Sequence, residues 1–497
     1  MYAQAHLAQV HLAQTRPGRA YLGGKMNERT PVSESGNPDE GHRDKEEAES
    51  ESEVSGAMDE EEEDSGRMFE YSWTCEATDN AGVYSIDSPA PGLILAGGGD
   101  EVLYVLALSQ ETNLDEGGML HGVISEVASG LSKVHTDSVN KITLTSDGKY
   151  AAASGLDGKV SIYSLEQPLG IQQPSGIQPP TEIQPPTGIQ TPLGIQTPTG
   201  IQTPTGIQTP TSIQPSMSPV RLVNTLEGSS EIEDICFAPG SLALLGACSD
   251  GTCYVWHALK GFVACFTGHK GRVSCARFVS AGERKFHCLT AGADGFLYVW
   301  EPTSAECLAR IKVCHVDPEE LNAQHEGEPA ACGVLALDVR EEQRVALCGC
   351  VSGQVVVVNY DAGTVVKKLK ARSAVETVRF SPPSTQQFFG GAIYLAAGDS
   401  EGHIYLANLS MNDWSHILNT NGPLTQLAWT DRTTDVKLVA ASSEDCIRMV
   451  ECRSGEVTDS LFTQRSVICD LRLFPWADIT CVAAATEEGQ VLLWQLD

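Results

Sequence analysis

The side chains of this sequence best suited to chemistry are its 16 cysteines and 12 histidines, and their spacing argues against metal or redox work. No Cys-x-x-Cys pair occurs, and neither Cys348/Cys350 nor Cys314-His315 has a partner pair at zinc-ligand spacing. Most cysteines lie in apolar runs, such as Ile235-Cys236-Phe237 and Thr480-Cys481-Val482, the setting of buried, reduced thiols in a reducing compartment. Nucleotide and acyl-transfer signatures are absent: no G-x-G-x-x-G after a strand, no G-x-x-x-x-G-K-[ST], no H-E-x-x-H and no G-x-S-x-G. The run Gly97–Gly99 follows a short apolar stretch, but no helical pattern follows it, so it reads as a strand-to-strand turn. The expectation is a protein that is not an enzyme, with no catalytic residues, no metal and no cofactor.

Charge carries more information. The chain of 497 residues has a net charge of −32. Residues 1–27 are basic, with Arg16, Arg19, Lys25 and no acid, whereas 28–64 hold 16 acids against Arg29, Arg43 and Lys45 and end in the run Asp59–Asp64. The remainder, 65–497, has 49 acids and 27 bases. Nucleic-acid binding needs basic surface that displaces counterions from phosphate, so the expected partner is a basic protein rather than nucleic acid. No apolar run approaches the ~18 residues of a membrane helix. A reduced, charged protein of this kind is expected in the cytoplasm, and also in the nucleus.

Two segments lack the composition of a core. Residues 1–66 read as a disordered extension with an acidic run, of which 1–25 are an unstructured leader or sequence preceding a start at Met26. Residues 168–219 carry a six-residue unit, Gly-Ile-Gln-Thr-Pro-Thr in its commonest form, with Ile-Gln at 171, 177, 183, 189, 195, 201, 207 and 213. A proline in every copy blocks helix and interior strand, so this insertion is expected to be extended and solvated, on the surface between a second and a third unit of the fold.

The rest repeats at a longer period. Each unit is an apolar strand, a second strand rich in Ala, Leu and Gly, a turn with an acid and Gly, and a third strand ending in an apolar or aromatic residue. In Leu244–Trp256 and Leu289–Trp300 the tryptophan follows the turn aspartate by six, Asp250 to Trp256 and Asp294 to Trp300. From Gly251 the turn glycines, with Cys446 standing in once, advance by 44, 58, 49, 44 and 43 residues, the length of one four-stranded propeller blade. Eight such turns predict an all-β fold, a single propeller of eight blades. The chain has only three strands in its last unit, so Phe69–Trp73 is expected to supply the fourth and close the ring. The predicted division is 67–167 for blades one and two with the closing strand, and 220–497 for blades three to eight.

The units resemble WD40 repeats, although the Trp-Asp dipeptide is missing. In the best match, Gly268-His269, Thr290, Asp294 and Trp300 stand where that family places a hydrogen-bonded tetrad, so the resemblance implies a structural role for His269, Thr290, Asp294 and Trp300. More narrowly, residues 69–497 outside the insertion, with Glu231-Ile-Glu-Asp-Ile-Cys-Phe237 and Gly268-His-Lys-Gly-Arg-Val-Ser-Cys-Ala-Arg-Phe278, resemble the angio-associated migratory cell protein family, which includes a fungal dedicated chaperone of a ribosomal protein. That resemblance implies a non-enzymatic, monomeric propeller that captures a basic large-subunit ribosomal protein for ribosome assembly. The competing expectation is a generic WD40 scaffold, either a substrate receptor of a ubiquitin ligase or a signalling adaptor. By the geometry of WD40 units, residues flanking the first apolar position of the first strand, or preceding the turn acid, point to the narrower top face. This rule picks out Glu231, Glu233, Arg272, Glu376, Glu444 and Glu487 as partner-binding residues, five acids against one base.

Overall fold

The structure is a computed structural model. It describes residues 67–70, 73–76, 81–90, 93–114, 120–126, 134–165, 220–280, 286–314, 332–420, 422–431, 435–443, 446–463, 466–476 and 479–496. Their strands form eight sheets, antiparallel except for one added parallel strand. The first strands of the sheets, Val83–Ala90, Val139–Leu144, Ile232–Phe237, Val273–Ser280, Val334–Arg340, Val375–Phe380, Leu424–Trp429 and Ile468–Trp476, touch one another in sequence order and the last touches the first, so they form a closed ring of inner strands. Eight blades radiate from this ring, as the turn spacing predicts.

Each junction between neighbouring blades is filled by one apolar cluster. This explains the composition of the second strands. Ala151–Ala153 and Ala483–Ala485 face a blade on either side and are fully buried, and small residues let two sheets approach to about 10 Å. At about 1.5–3 kcal/mol for each buried Val or Leu, these junctions supply most of the driving force. Two glycines are fixed by such approaches. A Cβ at Gly98, where the triple glycine ends its strand, would lie 1.9 Å from the Gly82 carbonyl, and one at Gly246 would strike the Trp256 ring at 2.4 Å.

The closure differs in detail from the sequence expectation. The fourth strand of blade eight is Trp73–Glu76, antiparallel to Gln490–Leu496, and shares only Trp73 with the predicted Phe69–Trp73. The preceding Arg67–Glu70 instead runs parallel to Val457–Phe462 as a fifth, outermost strand of blade seven. One short segment therefore covers the edges of two neighbouring blades, and both pairings fasten the N-terminal part to the end of the propeller. The insertion is also placed differently. Arg221–Glu227 pairs with Lys159–Ser164 as the fourth strand of blade two, so the hexapeptide block interrupts that blade rather than separating blades two and three. Residues 166–219 and 1–66, including the repeat and the acidic run, lie outside the described residues.

Inner strands share a second regularity. In all eight, the register with the second strand shifts at the second residue, for example between Ile232 and Asp234 and between Ile468 and Asp470. Such a bulge sets two residues of the inner strand against one of its partner and twists the chain. Side chains at and beside the bulge then reach the next blade. Asp470 Oδ2 accepts the Ile86 amide and the Ser85 hydroxyl, both at 3.1 Å, and Ser85 Oγ accepts the Ile142 amide at 3.1 Å. Asn140 donates to the Ile232 carbonyl at 2.6 Å, Asp234 accepts the Ala276 amide at 3.0 Å, Ser274 donates to the Val334 carbonyl at 2.5 Å, and Asp338 accepts the Phe380 amide at 2.7 Å.

Polar networks also pin individual blades. In blade four, His269 Nδ1 lies 3.1 Å from Asp294 Oδ1, His269 Nε2 lies 2.8 Å from Thr290 Oγ1, and Trp300 Nε1 donates to the same hydroxyl at 2.8 Å. Blade two holds His135 between Asp157 at 3.1 Å and Ser161 at 2.9 Å, the hydroxyl coming from the third strand instead of the second. In blade six, Asp399 sits in the second strand, with His403 at 3.1 Å and the Tyr405 hydroxyl donating at 2.8 Å. Burial raises each of these three carboxyls, and hydrogen bonds from histidine, backbone amides or hydroxyl outweigh it, holding each below its usual range.

Three outcomes are expected. Asp470→Asn removes the charge between Arg472 and the Ile86 amide and should cost about 3 kcal/mol in urea unfolding; a cost below about 1 kcal/mol would show that apolar contacts alone close the ring. Thr290→Val strands the Trp300 donor and leaves His269 Nε2 without its hydroxyl partner, and should cost about 2 kcal/mol by the same measurement. Because the folded carboxyls of Asp157, Asp294 and Asp399 titrate below their unfolded values, their stabilisation is complete above pH ~4 and is lost as pH falls through the folded values. The urea midpoint should drop between pH 5 and pH 2.5, and Asp294→Asn, weaker at pH 5, should lose less over that interval.

Candidate interaction rim and central channel

The loops leading into the inner strands and the turns between second and third strands share one face, the top of the propeller. There the structure brings Glu231, Glu233 and Arg272 together across the junction of blades three and four. Arg272 lies 2.8 Å from Glu233 and 3.6 Å from Glu231. Glu233 is only 3% exposed; burial raises its carboxyl and Arg272 opposes the rise. It is the extra residue of the blade-three bulge and is buried against Arg272, so Glu233 holds Arg272 in place while Glu231, its side chain 51% exposed, faces solvent.

The other selected acids are not part of this group. Glu376, at the blade-six bulge, lines the channel, where burial raises its carboxyl. Glu487 is half-buried in the blade-eight turn, close enough to Tyr84 and Cys469 for its charge to raise both groups, after the larger effect of their burial. Glu444 lies outside the described residues. His269, Thr290, Asp294 and Trp300 form the buried network of blade four and present no surface to a partner.

Sequence reasoning passed over the channel. Its wall is built from the third and fifth residues of the inner strands, which alternate in charge around the ring: Asp87, Lys141, Asp234, Arg277, Asp338 and Arg379 in blades one to six, then Asp470 and Arg472 together in blade eight. Arg277 pairs with Asp234 at 2.6 Å, and Arg472 joins Asp470 at 3.3 Å to Asp87 at 3.7 Å. For Asp470, burial pushes the carboxyl up, but Arg472, Lys141 and the Ile86 and Leu471 amides hold it below its ordinary range. Desolvation lowers Lys141 and Arg379. This wall was legible in principle, as a charge recurring two or four residues after the first apolar position of each unit.

One constellation has the composition of a hydrolase triad: Ser161, His135 and Asp157 at hydrogen-bonding distances. Ser161 is fully buried and His135 is 2% exposed, so no substrate carbonyl can reach the hydroxyl, and the group serves the blade. The described cysteines are free thiols, most of them buried, and no group of three His, Cys, Asp or Glu among the described residues is placed to hold a metal ion.

Comparison with known proteins agrees with this geometry. The family model for the WD domain, G-beta repeat, matches residues 129–164, 220–257 and 260–301. The second and third matches each begin on the outer strand of one blade and end on the third strand of the next, the same offset that leaves blade eight to be completed by an N-terminal strand. A p21-activated protein kinase-interacting protein 1-like protein of Gallus gallus is 22% identical over 46% of this chain, and the match spans about half, 53%, of that relative. Among solved structures, Saccharomyces cerevisiae Sqt1 superposes with a TM-score of 0.61 at 16% identity, covering 87% of this chain and 99% of that one. Chaetomium thermophilum Sqt1 bound to the N-terminus of the ribosomal protein L10 does so with a TM-score of 0.59 at 15% identity, covering 86% and 99%. The chain is therefore an eight-bladed propeller carrying WD40 repeats, with the overall fold of Sqt1.

Proposed function

We propose that this propeller is a non-enzymatic binding protein whose top rim captures the basic segment of a large-subunit ribosomal protein and shields it until assembly. The observation that carries this reading is the distribution of charge. In the channel Lys141, Arg277, Arg379 and Arg472 offset Asp87, Asp234, Asp338 and Asp470, and residues 65–497 as a whole hold 49 acids against 27 bases. A rim of carboxylates attracts a cationic chain over a Debye length of about 8 Å at physiological salt and accepts Lys and Arg without any chemical step. The bound L10 segment in a propeller of the same fold supports a ribosomal client. Capture of this kind belongs in the cytoplasm, where the client is made.

Burial decides which residues test the idea. Glu233 is unsuitable, because a lysine there would bury a second cation beside Arg272. Glu231→Lys with Glu487→Lys reverses two rim charges that are at least partly open to solvent, and Glu376→Gln removes the channel-mouth acid. The intact chain should enrich one basic ribosomal protein from a ribosome-depleted lysate at 0.1 M salt. Capture should fall at least tenfold in the triple variant and at 1 M salt. Recovery of adaptor or ligase subunits instead, with no ribosomal protein, would favour a generic scaffold; capture untouched by the charge changes would remove the rim from the mechanism.

A further inference from the structure

The acid excess leaves one wall of the propeller bare. The outer strands of blades three, four and five, Gly261–Thr267, Cys307–Lys312 and Thr364–Lys370, contain no Asp or Glu, and the last two carry Arg310, Lys312, Lys367, Lys368 and Lys370. Arg310, Lys312, Lys368 and Lys370 are exposed. The Arg310 guanidinium lies 3.8 Å from the centre of the Phe296 ring, Lys370 donates to the Ser352 carbonyl at 2.7 Å, and Lys367 is taken up by the Leu409 and Met411 carbonyls. Among the described residues, no carboxylate pairs with these five cations, whereas Arg272, Arg277, Arg344, Lys437 and Arg472 each have an acid partner. Beside the cations stand Leu308, Val365 and Val366, which are 45%, 36% and 57% exposed. Lysines on edge strands guard against pairing with other sheets, but that need does not remove every acid from three adjacent edges of a chain with net charge −32.

The chain itself contains the complementary segment. Residues 46–64 include Glu46, Glu47, Glu49, Glu51, Glu53 and the run Asp59–Asp64, with no Lys or Arg. They lead directly into Arg67–Glu70, the fifth and outermost strand of blade seven, which lies about one strand spacing outside the radius of the basic wall, two blades from blade five and three from blade four. With strands about 4.8 Å apart, a four-stranded blade sets its outer strand roughly 20–25 Å from the axis, and neighbouring outer strands roughly 15–20 Å apart. The blade-five edge is then about 30–40 Å from Arg67 and the blade-four edge about 45–60 Å. The 14–21 residues separating Arg67 from Glu46–Glu53 extend to about 45–70 Å, which is sufficient.

We propose that the acidic stretch Glu46–Glu53 docks in cis on the basic outer wall of blades four and five. Tethering keeps the segment at millimolar effective concentration, so several weak ion pairs suffice to hold it. The docked segment neutralises the wall and leaves the top rim open, and the proposal stands whatever the rim binds.

The test is carbodiimide coupling of the full-length chain, in which activated carboxylates form amides with adjacent lysines, read by mass spectrometry on a mixture of isotopically light and heavy copies. At 0.1 M salt, Lys312, Lys367, Lys368 and Lys370 should carry most links to residues 46–53, always within one isotope. Links should fall about tenfold at 1 M salt, where screening shortens from about 10 Å to about 3 Å, and equally in Lys312→Glu with Lys368→Glu. Neither lysine makes a contact the fold uses, and an unchanged melting temperature checks this. Links spread over Lys149, Lys260 and Lys437, links that resist salt, or links joining light to heavy copies would overturn docking in cis on this wall.

Discussion

The fold depends on the reach of each inner strand to the next. A propeller has no core of its own at the axis, since eight twisted sheets meet there edge to edge and leave a channel open to water. Apolar clusters hold neighbouring blades face to face, but they are non-directional and do not fix how far one blade slides along another. The bulge at the second residue of every inner strand supplies direction. It turns a polar side chain across the junction, where Asp470, Ser85 or Asp234 accepts an amide of the following blade. A carboxylate that accepts a backbone amide tolerates little displacement, so these bonds fix the register of the ring.

Alternation of charge in the channel follows from this requirement. Asp87, Asp234, Asp338 and Asp470 bring four negative charges into a narrow, partly desolvated space. Arg277, Arg379, Arg472 and Lys141 stand between them and offset these four charges. A channel of this kind is an element of structure, poorly suited to drawing in a cationic chain. On the function proposed above, recognition falls to the rims and outer walls.

Blade count and class were legible because the turn between second and third strands needs an acid and a glycine at fixed spacing, and that need survives when Trp-Asp and Gly-His erode. Two boundaries were hidden for a local reason. Outer strands have one neighbour and little burial, so Arg221–Glu227, exposed along most of its length, carries no apolar signature to tie it to a blade whose other strands lie some 56 residues upstream. Trp73–Glu76 is equally short, and a parallel strand such as Arg67–Glu70 breaks the antiparallel logic from which the closure was inferred. Glu233 was misjudged for another reason. Simple alternation sends the neighbours of Ile232 outward, whereas at the bulge Glu233 and Asp234 are both buried.

Erosion of the tetrad is instructive in the same way. Blade four keeps His, Thr, Asp and Trp; blade two takes its hydroxyl from another strand; blade six reverses the positions of acid and histidine and adds Tyr405. The shared requirement is that a buried histidine and carboxylate satisfy each other and at least one hydroxyl, because each unpaired group would cost about 1–3 kcal/mol. Several arrangements meet it equally well. Selection on stability alone therefore preserves the network while letting its residues migrate among strands, which is why a signature defined by identity fades along this chain while the geometry it served persists.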